Sequence, residues 1–200
     1  MQSIRSVLIR IGIEFTPYYI FQESIEFTEI PDNKDTTNYS SGLLGPQDMK
    51  MIGTRETGFS ESNLLGFLES GLKCIAIKNN NEIAAFMWIN FTELSYKSTN
   101  IQLKNNEAYL WFMHTFDAYR GNNLAPNLRY KSYEILKEMG RDFLYSISDS
   151  FNSPAVRFKQ KLNARKLKLV LFIQLFNKFR WSFILKSFRN NHHNSTLFTG

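Results

Sequence analysis

An α+β fold with a mixed, mainly antiparallel central sheet flanked by helices is what the sequence predicts, on three observations. The run Ala108, Tyr109, Leu110, Trp111, Phe112 and Met113 is apolar or aromatic throughout, as in a strand covered on both faces. After a short polar turn, Ala125, Leu128, Ile135, Leu136 and Met139 recur at helical spacing until Gly140, a C′ residue. Paired β-rich segments stand on either side, at residues 73–91 and 167–188, and read as hairpins. A chain of 200 residues, 43% apolar and 15% aromatic, suits one buried domain, with its core at about 44–186 and a polar tail at 189–200. Residues 1–43 form an N-terminal helix, strand and loop.

In order, Ile4, Val7, Leu8 and Ile11 suggest a short amphipathic helix, and residues 18–27 a first strand or hairpin. Residues 31–41 are a polar loop that could flank an acceptor site. Pro46, Gln47 and Asp48 have the character of a first helical turn within 44–52. Ser60 is the N-cap of a helix over 61–70 that carries Leu64, Leu65, Phe67 and Leu68 and stops at Gly71. Strands at 73–78 and 83–91 flank the turn Asn79, Asn80, Asn81, and 96–106 reads as a polar connection. Beyond the central strand and its helix come a strand at 143–147 and a helical segment from Asn152. The last hairpin comprises 167–176 and 179–188, turning at Asn177 and Lys178.

Composition narrows the functional classes. A single cysteine excludes an intramolecular disulfide, and Cys74 lies in a run that reads as buried strand, hence inert. His114 is isolated and His192 and His193 sit in a polar tail, so no metal-ligand spacing appears. Arg5, Arg10 and Glu14 interrupt any signal-peptide core, and no apolar stretch is long enough to span a bilayer, so a soluble cytoplasmic protein is expected. Of 24 Lys and Arg, 10 fall in residues 151–200, which hold no Asp or Glu; the remainder carries 14 basic and 18 acidic residues. Such a patch attracts anions: a nucleotide phosphate, a phosphorylated acceptor, a membrane surface or nucleic acid. A solvated basic edge is the plain alternative. The apolar residues of the last hairpin, interleaved with lysine and arginine, allow peripheral membrane contact through 167–188, although a hairpin in the sheet core explains them as well.

The turn after the central strand is built for an anion. The first amides of a helix lack intrahelical acceptors and face the positive end of the macrodipole. Pro126 falls in the first turn, where its missing N–H is no loss. Gly121 permits close backbone approach, Asn122 and Asn123 tolerate left-handed geometry, and Arg120 adds a fixed positive charge. An ordinary loop with a surface arginine is the alternative.

Arg120 and Ala125 match the first motif of the GNAT superfamily of acyl-CoA-dependent N-acetyltransferases, with Asn123 in place of its central glycine. Asn152, Ala155, Phe158 and Lys161 match the second, with Asn163 and Ala164 replacing its closing Gly-aromatic pair. The chain from about 44 to 185 resembles that family. The resemblance implies a splayed pair of parallel strands that holds acetyl-CoA, without a metal. Met113, Thr115 and Phe116 would meet the pantetheine arm, and the amides of Gly121, Asn122, Asn123, Leu124 and Ala125 the pyrophosphate. Asn152, Ala155, Phe158 and Lys159 would meet the cofactor from the other side. Lys159 stands where many members carry a tyrosine proton donor; it could steady a thiolate, or be a basic side chain on a surface helix.

The reaction implied is transfer of an acetyl (acyl) group to a primary amine, and an ammonium must first lose a proton. Glu107 or His114, directly or through water, are the candidate bases, with Asp149 and Tyr145 within reach of an acceptor. An exposed strand-end carboxylate and a buried histidine satisfied by its neighbours are the plain readings of the first two. By analogy with bacterial members, the acceptor is an amino sugar or sugar nucleotide of surface polysaccharide biosynthesis. A protein or peptide amine is the alternative, and a non-catalytic nucleic-acid- or membrane-binding module is the alternative outside enzymes; no nucleic acid is expected, and a homodimer is compatible with the sequence.

Overall fold

The computed structural model describes residues 7–24, 39–53 and 57–188. Ile4, residues 25–38 including Phe27, and residues 189–200 with His192 and His193 lie outside them. The architecture is mixed α+β, with mostly antiparallel strands flanked by helices. The strands are β1 (Glu14–Glu23), β2 (Tyr39–Leu43), β3 (Lys73–Asn79), β4 (Glu82–Asn90), β5 (Glu93–Tyr96), β6 (Thr99–Gln102), β7 (Glu107–Thr115), β8 (Phe143–Asp149), β9 (Arg165–Leu175) and β10 (Phe179–Ser187). The helices are α1 (Pro46–Gly53), α2 (Glu61–Glu69), α3 (Leu124–Glu138) and α4 (Ser153–Lys161). Two compact units divide them, one formed by residues 39–53, 57–92 and 104–144, the other by 7–24, 93–103 and 145–188.

In the unit that holds β7, the strands run in the order β7-β4-β3-β2, each antiparallel to the next. β4 is buried from Ile83 to Ile89, as the continuous apolar pattern requires of a strand covered on both faces. Its Phe86 and Trp88 join Met49 and Ile52 of α1, Leu64 of α2 and Cys74 of β3 in one core cluster. Burial and the negative charge of Asp48 push the Cys74 thiol well above the ordinary range, against a weaker opposing bond from the Met87 backbone, so it packs as a small apolar group. Ser60 caps α2 through a reciprocal box with Asn63, as its position suggests. The polar segment Tyr39–Ser41, expected as loop, is part of β2: Tyr39 is half-buried and both serines are exposed, and backbone pairing to β3 makes it a strand.

The register between β4 and β7 slips between Met87 and Ile89: Met87 faces Met113, whereas Ile89 faces Leu110. One extra residue therefore sits in β7, a β-bulge at Trp111 and Phe112. Both rings consequently turn toward one cluster, where Phe59 meets Trp111 at 6.2 Å and Phe112 at 4.8 Å. Upstream of the bulge β7 is buried; from Trp111 to Thr115 it is only half-buried.

The other unit orders its strands β10-β9-β1-β8, with β1 and β10 antiparallel to β9. β1 begins at Glu14, four residues before the expected start, and includes Pro17, which pairs in register with Leu171. The polar stretch 96–106, expected as a connection, holds β6, which pairs with β5 just before it in a hairpin that turns through Lys97 at positive φ. It lies along one face of the sheet: Tyr18 Oη and Thr99 Oγ1 are 2.6 Å apart, Tyr96 donates to Asp149 at 2.5 Å, and Lys97 pairs with Glu14 at 2.7 Å. Pairwise polar anchoring of this kind leaves no apolar periodicity to read.

The final hairpin turns at Phe176 and Asn177, one residue earlier than expected, both at positive φ as a tight two-residue turn demands. Asn177 N–H donates to Gly12 carbonyl at 3.2 Å. Gly12 has φ +80°, and a Cβ there would meet the Asn177 nitrogen at 2.8 Å. Gly12→Ala is therefore expected to destabilise by at least about 1–2 kcal/mol from the left-handed backbone alone, with the clash adding to it; urea unfolding of the two proteins measures the difference.

Candidate active site

β7 leads through a 3₁₀ turn, Asp117–Tyr119, to α3. The turn is pinned at three points: Phe116 N–H donates to Ala84 carbonyl at 3.0 Å, Tyr119 Oη to Glu82 at 2.7 Å, and Arg120 pairs with Asp117 at 2.8 Å. Gly121 follows at φ +87° and Asn123, the N-cap of α3, at φ 52°, the left-handed geometry expected of both. Asn123 makes no side-chain cap, and the first turn of α3 holds no acidic residue. Among the described residues the amides of Gly121, Asn122 and Asn123 find no hydrogen-bond acceptor. Leu124 and Ala125 open the helix, so their N–H groups precede its ladder. The open donors, the positive end of the helix dipole and Arg120, itself paired with Asp117, are features that suit an anion.

Upstream, Met113, His114 and Thr115 pair with Met87, Phe86 and Ala85 of β4. Arg120 Nε reaches back to the Thr115 carbonyl at 3.4 Å. His114 stands among three rings, with centroids at 5.8 Å to Phe86, 6.2 Å to Phe112 and 5.0 Å to Phe116. Desolvation by these rings lowers the imidazole pKa, the nearby Arg120 charge lowers it further, and Asp117 opposes both. His114 is therefore neutral near pH 7, with a nitrogen free to accept a proton.

Glu107, at the other end of β7, is not an exposed strand-end carboxylate: it is 1% exposed. Its Oε2 accepts from Lys104 N–H at 2.9 Å, its own N–H donates to the Lys104 carbonyl at 2.9 Å, and Arg141 donates to its carbonyl at 3.3 Å. With a strand rise of about 3.3 Å per residue, Glu107 and His114 stand roughly 20 Å apart, so they cannot serve one reaction centre.

The second motif lies in the other unit. Asn152 is the N-cap of α4, its side chain accepting from Ala155 N–H at 3.2 Å, with Pro154 in the first turn. Asn163 ends the segment at φ 58°, taking the conformation a glycine would supply. Val156 of α4 packs with Phe21 and Ala164. Lys159, however, is not a surface lysine. It donates to Ser146 Oγ at 2.6 Å and pairs with Glu23 at 3.6 Å, with side-chain exposures of 7% and 0%. Ser146 in turn donates to Glu23, and the ammonium lies 5.7 Å from the Phe21 ring centroid. The sequence did not mark Glu23 or Ser146, because an ion pair between distant segments has no spacing signal. Asp149 accepts from Tyr96, and Tyr145 is fully buried.

Among the described residues no three His, Cys, Asp or Glu side chains are grouped as for a metal ion, and no helix is long and apolar enough to cross a membrane. No protein-family model matches the sequence, and no curated protein matches it. Solved structures do. A tandem GNAT protein from the clavulanic acid biosynthesis pathway matches with a TM-score of 0.58 at 8% identity, over 94% of this chain and 59% of that one. A GCN5-related N-acetyltransferase from Sphaerobacter thermophilus matches at 0.58 and 10% identity, over 91% of this chain and 56% of that one. The GCN5-related glucosamine N-acetyltransferase region of a fungal multi-domain GH3 β-N-acetylglucosaminidase matches at 0.62 and 11% identity, over 87% of this chain and 23% of that one. This chain thus spans less than two thirds of the length of each. With these matches beside the strand order within each unit and the uncapped start of α3, the chain has the fold of the GNAT acetyltransferases.

Proposed function

We propose that this protein transfers an acetyl group from acetyl-CoA to a primary amine at the junction of β7 and α3. The observation that carries the reading is the turn itself: Gly121 and Asn123 left-handed, α3 uncapped, and amides without acceptors beside Arg120. The cofactor supplies an activated thioester. The chain supplies position and proton transfer: amides of residues 121–125 hold the pyrophosphate, and the half-buried end of β7 from Met113 to Phe116 lies beside the pantetheine.

His114, neutral and half-buried on that same end, is the better of the two candidate bases, taking the amine proton directly or through water. Glu107 is too deeply held and too far along the strand. Lys159 is already committed to Glu23, so it is not a replacement for the usual tyrosine donor. A thiolate whose thiol has a pKa of about 8.5 leaves with little protonation. For the acceptor we infer an amino sugar, a class taken from the fungal glucosamine N-acetyltransferase region that shares the fold.

Calorimetric titration with acetyl-CoA tests this. Arg120→Ala is expected to weaken binding by about tenfold, the worth of one charge-assisted contact. Gly121→Pro should weaken it further, since proline cannot take φ +87°. Thiol release with glucosamine as acceptor should then fall sharply in His114→Ala. Absence of acetyl-CoA binding to folded wild type sinks the proposal.

A further inference from the structure

Among the described residues, the sheet face opposite the β5–β6 hairpin is apolar and largely bare. Directly opposed residues in antiparallel strands share a face, so the registers define two rows across β1, β9 and β10. One is Phe15, Ile173 and Trp181; the next is Pro17, Leu171 and Phe183. Phe15, Trp181 and Phe183 are 46%, 42% and 50% exposed. Phe179 stacks on Trp181 at 5.9 Å and continues the patch. The expectation that the last hairpin belongs to the sheet core therefore fails for β10, which is exposed almost throughout because it is the edge strand with nothing beyond it among the described residues. Monomeric surfaces rarely leave so contiguous an apolar area without a use.

The rim of this face decides what it meets. Lys178 and Arg180 stand at the turn end, and Lys166 and Lys186 at the other. Lys178 sits 5.5 Å over Phe179, Lys186 5.0 Å over Phe188 and Lys166 4.1 Å over Tyr19, so the cations border the aromatic rings. No acidic residue occurs from 151 onward, and Glu14 of β1 lies on the hairpin face, paired with Lys97. Aromatic rings with apolar neighbours, fringed by long basic side chains, fit the headgroup level of an anionic bilayer. A second copy fits less well. Two-fold antiparallel pairing along β10 would set Lys178 and Arg180 of one copy against the Lys186 end of the other. A nucleic-acid duplex would meet the cations but leave the apolar rows uncovered.

We propose that this face docks on the surface of an anionic membrane, with Trp181 and Phe183 entering the headgroup region and Lys178 and Lys186 meeting lipid phosphates. The test is co-sedimentation of the full chain with vesicles of phosphatidylcholine alone or mixed equally with phosphatidylserine, across a salt series. Binding to the mixed vesicles, weakening with salt and reduced by about tenfold or more in Lys178→Glu/Lys186→Glu, is expected. Trp181→Ser/Phe183→Ser should abolish it, with an unchanged circular dichroism spectrum and thermal transition, and with acetyl-CoA affinity retained. Failure of folded wild type to bind the mixed vesicles, or equal binding to the neutral ones, overturns the proposal. So does a concentration-dependent dimer that Trp181→Ser/Phe183→Ser dissociates, or stronger binding to a DNA duplex than to vesicles.

Discussion

Lys159→Met is expected to destabilise the fold by about 3–5 kcal/mol, because removing one partner of a buried ion pair strands the other charge away from water. Glu23 is fully buried and its carboxylate is held by Lys159 and Ser146, so methionine would leave Ser146 as its only remaining partner of those two. With a urea dependence of about 1–3 kcal/mol per molar for a protein of this class, the midpoint should fall by at least about 1 M. The double variant Lys159→Met/Glu23→Met removes both charges and should recover most of the loss, since apolar groups of similar volume commonly match a buried pair. A cost within about 1 kcal/mol for the single variant is what an exposed pair would give, and would contradict the geometry. The pair ties α4 to β1 and β8 through one contact, and thereby fixes the segment in which Asn152, Ala155 and Phe158 stand.

Phe86→Ala is expected to cost a further large amount, about 3–5 kcal/mol, since a fully buried aromatic leaves a cavity that rigid neighbours fill only in part. This variant also reports on chemistry. Phe86 is one of the rings that desolvate His114, and desolvation is the main cause of its lowered pKa. Water in the cavity should return the His114 titration toward the ordinary value of 6.5. Imidazole proton shifts followed against pH in the wild type and the variant measure it, and an unmoved titration would place the cause elsewhere. The sign for stability follows. The folded state binds the His114 proton less readily than the unfolded chain, so its contribution is fully present above the unfolded value. It declines as pH falls through the folded one. Phe86→Ala should flatten that decline.

Much of this structure is legible in the residues. The unbroken apolar run of β7, the Ser60 cap, and the glycines that end α2 and α3 each reflect a local demand that the chain itself satisfies. Gly71 and Gly140 do adopt positive φ. What was hidden depends on partners. β2 is polar and exposed, and is a strand only because β3 offers an edge. The β5–β6 hairpin is held by Tyr18, Glu14 and Asp149, none of them near it in sequence. Met139 keeps the helical period of α3 yet is exposed, while Tyr130 and Tyr133 of the same helix are buried. Of the candidate site, the turn at Gly121 was readable because left-handed geometry and free amides are local properties. The burial of Glu107 and Lys159 was not, because burial belongs to the whole fold.

Four of the six non-glycine residues at positive φ among the described residues are asparagines: Asn80, Asn123, Asn163 and Asn177. Two of them, Asn123 and Asn163, stand where glycine is usual in the motifs this chain resembles. Asparagine costs something in the left-handed region, but an unfolded chain containing it has fewer conformations to surrender than one containing glycine. The two effects oppose each other, so selection can exchange the letters while the dihedral angle stays. The fold of such a chain is therefore written in torsion angles, and a pattern spelled in glycines passes over it while its backbone still aligns with structures of that fold.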